Sequence, residues 1–310
     1  MEIDKEVLEG LQRVAQVRLS EPLSKHTTFG IGGPADVYAI AQSAGELRDL
    51  VVLCNKAQVP FFILGAGSNV LISDKGIRGV TIENRARGLE GPNGSQEGVA
   101  VFRAESGSSI AALARYLGRK GFGGLEWAGG IPGTIGGAVV YNAGAYDGTM
   151  ATVLKRVQMV GKDGFQYDLG VEELGLGYRE SSFTRRLFEG HVILSADVML
   201  RPADPTELAQ RLVELDRNRQ ASQPRGRSAG SIFKNTREYP AWWLIDQVGL
   251  RGYRHGDAEI STKHPNFILN VGHAAAADVL TLIKLVQQRV QDEFSVKLVP
   301  EVAFVGEGLQ

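Results

Sequence analysis

The feature that most constrains this chain is a stretch of ten residues, Gly129–Ala138, which reads GGIPGTIGGA and contains five glycines. With so few side chains, another molecule or another part of the chain can approach its backbone closely. Pro132 fixes one backbone angle, and the composition differs from the Gly/Ser-rich composition of a flexible linker. This long glycine loop therefore favours a surface for a large flat ligand; the alternative is a tightly packed turn between a strand and a helix.

A second glycine stretch, the GAGSN loop at Gly65–Asn69, directly follows an apolar run at Phe61–Leu64 that predicts a strand. It differs from the dinucleotide-binding fingerprint, because the third glycine is missing and Leu71–Gly76 predicts a turn instead of a helix. What remains is a loop whose backbone N–H groups can converge on an anion. Packing without a ligand stays an equally open alternative.

The third informative stretch is AGSIFKN at Ala229–Asn235, which brings the hydroxyl of Ser231, the ammonium of Lys234 and the amide of Asn235 close together in sequence. Each group alone also fits an ordinary turn. Combined with two glycine loops, they indicate a protein that binds a cofactor diphosphate and performs proton chemistry on a second ligand.

Composition and charge argue against several classes of protein. The 310 residues carry a formal net charge of -1, unlike a nucleic-acid surface, although Arg217, Arg219, Arg225 and Arg227 form either a solvated helix end or a rim that attracts phosphate. The charged N-terminus is unlike a signal peptide, and no long apolar run predicts a membrane span. The single cysteine, Cys54, cannot form an internal disulfide, and we expect a buried, unreactive thiol in a reducing, cytoplasmic compartment.

The length of 310 residues predicts two or three domains, and we place a boundary near residue 203. Hydrophobic periodicity predicts the helices and strands. Ser108 or Ser109 is expected to cap one helix, and Asp163-Gly164 to close a hairpin. Predicted helices cover Ala44–Gln58, about Ser109–Lys120, a segment from Pro205 with the stripe Leu208, Leu212 and Leu215, and about Ala276–Phe294. Predicted strands cover Phe61–Leu64, Gly98–Glu105, the two arms of Val157–Leu169, and the alternating run Val192–Leu200.

Eight motifs in order give the chain a close resemblance to one known family. They are HTTFGIGGPA (His26–Ala35), PFFILGAGSNVLISD (Pro60–Asp74), GLEWAGGIPGTIGGAVVYNAGA (Gly124–Ala145), YRESSF (Tyr178–Phe183), AGSIFKN (Ala229–Asn235), GDAEIS (Gly256–Ser261), KHPNFILN (Lys263–Asn270) and PEV (Pro300–Val302). The chain resembles the UDP-N-acetylenolpyruvoylglucosamine reductases, the MurB family. The eight residues between Phe183 and Val192 leave no room for the substrate-covering insertion of some members, so the shorter, second type is indicated.

The resemblance implies an α+β fold, with a two-lobed FAD-binding domain of the vanillyl-alcohol-oxidase (PCMH) type followed by an α/β substrate-binding domain. We expect the lobes at residues 1–82 and 83–203 and the substrate domain at residues 204–310, with the C-terminal segment returning to the active site. The implied reaction is the FAD-dependent, NADPH-consuming reduction of UDP-N-acetylglucosamine enolpyruvate to UDP-N-acetylmuramate, in peptidoglycan precursor synthesis. NADPH and substrate are expected to use one site in turn, which accounts for the missing nucleotide fingerprint.

The family motifs also assign roles to residues of this chain. Three are expected to be catalytic: Ser231 as the proton donor, Arg179 as the cation facing the substrate carboxylate, and Glu301. Those expected to bind FAD are Gly65, Ala66, Gly67, Ser68, Asn69, Gly129, Gly130, Ile131, Pro132, Gly133, Gly136, Gly137 and Asn142. Those expected to bind the substrate are Tyr178, Arg225, Lys234 and Asn235. No metal is expected, since the histidines lack ligand spacing.

Two other functions stay open at this stage. AGSIFKN and PEV argue against an oxidase on the same flavin fold, while Ser231, Arg179 and Glu301 argue against a non-catalytic sugar-nucleotide sensor. One position departs from the family, which usually has proline where this chain has Thr236. Because threonine leaves the backbone freer than proline, we expect a slightly looser turn and unchanged chemistry.

Overall fold

The computed structural model describes residues 3–93, 95–96 and 98–309, which form two compact units. Unit 1 comprises the described residues up to Arg18, Val37–Gly65 and Gly79–Arg219; unit 2 comprises Leu19–Asp36, Ala66–Arg78 and the described residues from Gln220 onward. Both units are discontinuous in sequence, so they do not coincide with the predicted limits at residues 82 and 203. The division into two lobes and a substrate domain stays a prediction.

The helices at Ala44–Lys56, Ile110–Arg119, Pro205–Ser222 and Ala276–Phe294 confirm the predicted positions, whereas the other four described α-helices were not predicted. The bounds of the described α-helices are α1 Lys5–Val14, α2 Ala44–Lys56, α3 Ile110–Arg119, α4 Ile135–Val140, α5 Met150–Val153, α6 Pro205–Ser222, α7 Ala241–Gln247 and α8 Ala276–Phe294. Short 3₁₀ helices cover Leu23–His26, Glu126–Ala128 and Val171–Leu174. Ser109 caps α3 by accepting the N–H of Ala112, whereas the Ser108 hydroxyl makes no hydrogen bond to the described residues, so Ser109 is the cap.

The strands of the described residues are mostly short. Their bounds are β1 Gln16–Pro22, β2 Pro34–Ala41, β3 Phe61–Leu64, β4 Val70–Ile72, β5 Ile77–Asn84, β6 Leu89–Glu90, β7 Ser95–Gln96, β8 Val99–Glu105, β9 Phe122–Gly123, β10 Gly144–Ala145, β11 Gly148–Thr149, β12 Leu154–Val160, β13 Gln166–Gly170, β14 Val192–Pro202, β15 Arg254–His255, β16 Ala258–Ile260, β17 Ile268–Asn270 and β18 Ala303–Val305.

One core of unit 1 places the start of the GAGSN loop. Strands β3 and β5 are parallel, with Leu64 paired to Glu83, and β3 is the edge strand in the order β1-β2-β5-β3. Helix α2 shares this core and contributes Leu50 and Cys54, both fully buried. Burial raises the pKa of the Cys54 thiol to about 12, which confirms the prediction of a buried, protonated thiol.

The larger sheet of unit 1 is antiparallel, in the order β13-β12-β14-β8-β6. Strands β12 and β13 form the predicted hairpin, in which Val157 pairs with Leu169 and Gly164 has a φ of +82°. Strand β14 differs from its alternating pattern, because Ser195 and Asp197, on the face expected to be polar, are also buried. Sequence alternation cannot reveal that a second layer covers the polar face of a central strand.

Buried Asp197 keeps its charge through two arginines of the same sheet. A guanidinium nitrogen of Arg103 and one of Arg156 each lie 2.7 Å from the carboxylate oxygens. Burial alone opposes ionisation, but these hydrogen bonds hold the pKa of Asp197 below its ordinary value. The group is a structural ion cluster within unit 1.

Helix α6 explains why the boundary predicted near residue 203 does not match the compact units. It begins at Pro205 as predicted and buries the stripe Leu208, Leu212 and Leu215. Up to Arg219 the helix belongs to unit 1, since its buried stripe packs on residues that precede it in the chain, such as Gly118. The composition change at Pro202 and Pro205 marks the end of a strand, not the end of a unit.

Unit 2 is built around α8, whose buried residues include Val279, Ile283, Val286 and Val290, as the periodicity predicts, together with Ala276 and Leu282. Strands β15, β16 and β17 form an antiparallel sheet, while β4 pairs in parallel with β18. The predicted turn over Leu71–Gly76 is therefore wrong at its start, because β4 is a strand that depends on a partner far along the chain. None of the described helices is long and apolar enough to cross a bilayer.

Candidate functional site

The GAGSN loop holds unbonded backbone donors. In unit 2, the N–H groups of Ala66, Gly67 and Asn69 make no hydrogen bond to any residue that the structure describes. Gly67 has a φ of +61°, and a side chain there would come within 2.8 Å of the Cα of Thr27 and closer still to the carbonyl oxygen of His26. Only glycine fits this position, and the resulting loop offers several N–H groups to an anion such as a diphosphate.

The long glycine loop of unit 1 is held mainly by its own protein. A side chain at Gly129 would overlap Leu212, and one at Gly130 would lie 2.9 Å from Cδ of Arg219. At Gly136 an added Cβ would lie 3.0–3.1 Å from Ser106. The tightly packed alternative thus accounts for these three glycines.

Backbone hydrogen bonds confirm how firmly this loop is anchored. The N–H groups of Gly129, Ile131 and Gly136 donate to carbonyls of Glu126, Ala128 and Ser106, and that of Gly137 donates to the Thr134 hydroxyl. Among the described residues, the N–H groups of Gly130 and Gly133 have no such partner, and an added Cβ at Gly137 would make only one ordinary contact. The contact of this loop with a flat ligand stays a prediction.

Arg179 stands in a tight turn of unit 1. The N–H of Gly177 donates to the carbonyl of Glu180 at 3.0 Å, and Arg179 has a φ of +55°, unusual for a residue with a side chain. Its Nη2 donates to the carbonyl of Gly144 at 2.7 Å, and its guanidinium carbon lies 5.5 Å from the centroid of the exposed Tyr178 ring. The guanidinium is thus held at a fixed place beside an aromatic ring.

Asn142, predicted to bind FAD, is buried and uses its side-chain amide within unit 1. Its Nδ2 donates to the carbonyl of Gly177 at 2.8 Å, and its Oδ1 accepts the N–H of Ala151 at 3.0 Å. The structure thus shows a structural role for this amide that the sequence did not indicate.

Unit 2 brings Ser231 and Glu301 onto adjacent segments. The N–H of Glu301 donates to the carbonyl of Ile232 at 2.7 Å, and Phe233 bridges Pro300 in an antiparallel sense. On the other side, Ser231 bridges Phe267. The motifs AGSIFKN, KHPNFILN and PEV therefore form one hydrogen-bonded patch.

The part of the GAGSN loop that belongs to unit 2, Ala66–Asn69, joins the same patch. The Asn69 side chain donates to the carbonyl of Glu301 at 3.2 Å, and the N–H of Ala303 donates to the carbonyl of Asn69 at 3.0 Å. The backbone of Glu301 is thereby fixed from both sides. A residue predicted to bind FAD and one predicted to be catalytic are therefore directly linked.

The residues predicted to bind the substrate occupy different surroundings. Lys234 is half-buried, with its N–H bonded to the carbonyl of Val299, whereas Arg225 is exposed. The Asn235 Oδ1 accepts the N–H of Ala241 at the start of α7, so part of its amide stabilises that helix. Their contact with a substrate stays a prediction.

Thr236 does not give the looser turn that we expected. Its N–H and its hydroxyl both donate to the carbonyl of Tyr239, at 3.1 and 2.9 Å, and the hydroxyl accepts the N–H of Tyr239 at 2.9 Å. Proline could make none of these bonds. The turn is closed by hydrogen bonds instead of by ring stiffness.

Sequence reasoning missed two residues of the patch in unit 2. Asn266 is buried and bonds both the N–H and the carbonyl of Phe233, at 2.9 Å each, and so fixes the backbone between Ser231 and Lys234. His264 packs edge-on against Phe267, and burial lowers the pKa of its imidazole. A polar asparagine beside the apolar Phe267 was the available signal for Asn266. In the described part of the chain, no group of three or more His, Cys, Asp or Glu side chains could hold a metal ion.

Known proteins similar to this chain agree along nearly its whole length. A model described as "FAD binding domain" matches residues 35–170, and one described as "UDP-N-acetylenolpyruvoylglucosamine reductase, C-terminal domain" matches residues 221–305. The chain is 39% identical over 306 residues to the UDP-N-acetylenolpyruvoylglucosamine reductase of Caldanaerobacter subterraneus and 41% identical over 313 residues to that of Agathobacter rectalis, with 98% of each chain covered in both comparisons. The crystal structure of the MurB reductase from Thermus caldophilus matches with a TM-score of 0.75 and 34% identity, covering 94% of this chain and 98% of that one.

Proposed function

Since this chain belongs to the family of UDP-N-acetylenolpyruvoylglucosamine reductases, we propose that it reduces UDP-N-acetylglucosamine enolpyruvate to UDP-N-acetylmuramate with NADPH, in a ping-pong cycle through FAD. Membership confirms the predicted enzyme class, an FAD-dependent oxidoreductase of peptidoglycan synthesis, and the α+β fold with a PCMH-type FAD-binding domain. NADPH as reductant, the ping-pong order, the proton donor and a cytoplasmic location belong to the proposal.

The pairing of the Ser231 segment with the Glu301 segment carries this proposal. Residues 70 positions apart are held on adjacent backbone by the bond from Glu301 N–H to the Ile232 carbonyl. A hydroxyl and a carboxyl on neighbouring segments support protonation of a carbon next to a carboxylate.

FAD fits the residues present, because the unbonded N–H groups of Ala66, Gly67 and Asn69 suit a diphosphate. When bound, FAD supplies the hydride that reduces the terminal carbon of the enolpyruvyl group. Ser231 then donates a proton to the adjacent carbon; since a serine hydroxyl is a weak acid, the cation of Lys234 stabilises the alkoxide left behind, and Glu301 supports the enol form or relays protons.

Arg179 and Lys234 meet the two anionic parts of the substrate in this proposal. Arg179 stabilises the charge that develops on the enolpyruvyl carboxylate, because a planar guanidinium binds a carboxylate through two parallel hydrogen bonds. Lys234 faces the UDP diphosphate as a compact cation. Tyr178, Arg225 and Asn235 are the other residues predicted to contact the substrate.

Anaerobic stopped-flow spectroscopy separates the two half-reactions and tests the proposal. NADPH is expected to bleach the flavin absorbance, and UDP-N-acetylglucosamine enolpyruvate to restore it. Ser231→Ala is expected to keep the first rate and to slow the second by about 10²–10⁴-fold, the usual contribution of a general acid. Equal losses in both half-reactions would remove Ser231 from the role of proton donor.

Two further measurements, exposure of the reduced protein to air and binding of UDP-sugars, distinguish the two alternative functions from the reductase. Rapid reoxidation by air, unaffected by the sugar nucleotide, would favour an oxidase. A colourless protein that still binds UDP-sugars would favour a sensor. Bleaching by NADPH and recovery only with the enolpyruvyl substrate are the results expected for the reductase.

A further inference from the structure

We propose that Asn142 is a positioning residue for Arg179, and that its side chain acts on the Gly177–Glu180 turn and not on FAD. The inference rests on the catalytic role proposed for Arg179. It replaces the cofactor contact that the family motif suggested for Asn142.

The turn that carries Arg179 needs support from outside itself. Its ends are joined by the bonds between Gly177 and Glu180, at 3.0 and 3.4 Å, and the second of these is long. Arg179 is its third residue, with a φ of +55°, a position that favours glycine or asparagine. An arginine keeps such a conformation only where the surroundings impose it.

Asn142 supplies that support through a single buried amide. Its Nδ2 donates to the carbonyl of Gly177, at the first residue of the turn, while its Oδ1 accepts the N–H of Ala151 in α5. Asn142 itself has a φ of +41°, which asparagine tolerates better than most residues. The amide thus ties the turn to the start of α5.

The same short segment also holds the guanidinium. Gly144, two residues after Asn142, accepts the Arg179 Nη2–H through its carbonyl at 2.7 Å. Strand β10, which begins at Gly144, pairs with β11, and Gly148 of that hairpin packs against Trp127 so closely that no side chain fits. The backbone and the guanidinium of Arg179 are therefore both held by residues 142–144. This explains how the Arg179 side chain keeps one orientation.

Asn142→Asp is the sharpest variant for the test. Aspartate keeps the size, the tolerance of positive φ and the acceptor for Ala151, but its carboxylate loses the donor to Gly177 and places an anion against that carbonyl. Asn142→Gly is the second variant, since it keeps the backbone conformation and removes both bonds. Val157→Ala, in the core of the same unit, serves as a control for general destabilisation.

Three quantities are measured for each variant. The first is its affinity for FAD. The other two are measured on the FAD-loaded protein: the rate at which NADPH bleaches the flavin, and the rate at which the enolpyruvyl substrate restores the flavin absorbance. Both Asn142 variants are expected to stay within twofold of wild type in the first two and to slow recovery at least tenfold. Val157→Ala is expected to recover at the wild-type rate. In an Arg179→Lys background, Asn142→Asp is expected to add less than twofold, because the group it positions is already altered.

Several results would overturn the inference. Loss of FAD affinity in Asn142→Asp would restore the cofactor contact, equal losses in both half-reactions would indicate a purely structural role, and an unchanged recovery rate would leave Asn142 without influence on Arg179. Failure of the proposed function is recognised separately, since wild-type flavin would then not be restored by the enolpyruvyl substrate at all.

Discussion

Replacing Gly67 by alanine should lower the free energy of unfolding for two separate reasons. The first is the cost of a φ of +61° for a residue with a Cβ, about 1–2 kcal/mol. The second is the overlap of that Cβ with the backbone of His26 and Thr27, which cannot yield like a flexible side chain. The loop must move, and the bond from the Thr28 N–H to the Gly67 carbonyl is lost, at about 1 kcal/mol, whereas the Thr28 hydroxyl donates mainly to the carbonyl of Ser228 at 2.7 Å.

Gly249→Ala is the matched control, because Gly249 lies in the same unit, has a φ of +70° and has nothing within 4 Å of an added Cβ. Urea unfolding is expected to show a loss of about 1–2 kcal/mol for Gly249→Ala and about 1 kcal/mol more for Gly67→Ala. In an FAD titration, the affinity for FAD is expected to fall at least tenfold in Gly67→Ala and not in Gly249→Ala. Equal losses of unfolding free energy in the two variants would refute the overlap, and unchanged FAD affinity would refute the role of this loop.

Two further predictions concern single side chains. Thr236→Pro should lower the free energy of unfolding by about 1 kcal/mol, because the loss of three hydrogen bonds outweighs the stiffness of proline. Thr236→Val should show how much of this loss comes from the hydroxyl. A proline variant that is more stable than wild type in urea would contradict the prediction. Cys54, with its pKa raised to about 12, should resist a thiol reagent such as DTNB at pH 8 until the protein unfolds. The stability that this buried thiol contributes is fully present below about pH 8.5 and decreases as the pH rises towards 12. Labelling of the native protein at the rate of a free thiol would disprove the burial of Cys54.

Local pattern was sufficient for several elements. Helix α8 has the predicted bounds, because a stripe of apolar residues at helical spacing needs only one covering layer. The hairpin of β12 and β13 follows from Asp163-Gly164, since the turn dipeptide fixes the register of its arms. The order of eight motifs was likewise enough to identify the family and its FAD-binding fold.

Sequence pattern failed where a residue's surroundings come from distant parts of the chain. Strand β4 was missed because its partner, β18, follows more than two hundred residues later. The buried face of β14 carries Asp197, whose charge is acceptable only because Arg103 and Arg156 reach it from neighbouring strands. Neither partner can be read from the alternation of one strand.

For the candidate site, the sequence alone determined which chemical groups are present: the hydroxyl of Ser231, the guanidinium of Arg179 and the glycines of both loops. Tertiary structure decided why some of these positions require glycine, since the space where a Cβ would lie is filled by residues remote in sequence, Leu212 beside Gly129 and His26 beside Gly67. It also decided that Ser231 and Glu301 share one patch. The physical reason is that side-chain type is local, whereas packing and hydrogen-bond partners are set by how the chain returns upon itself.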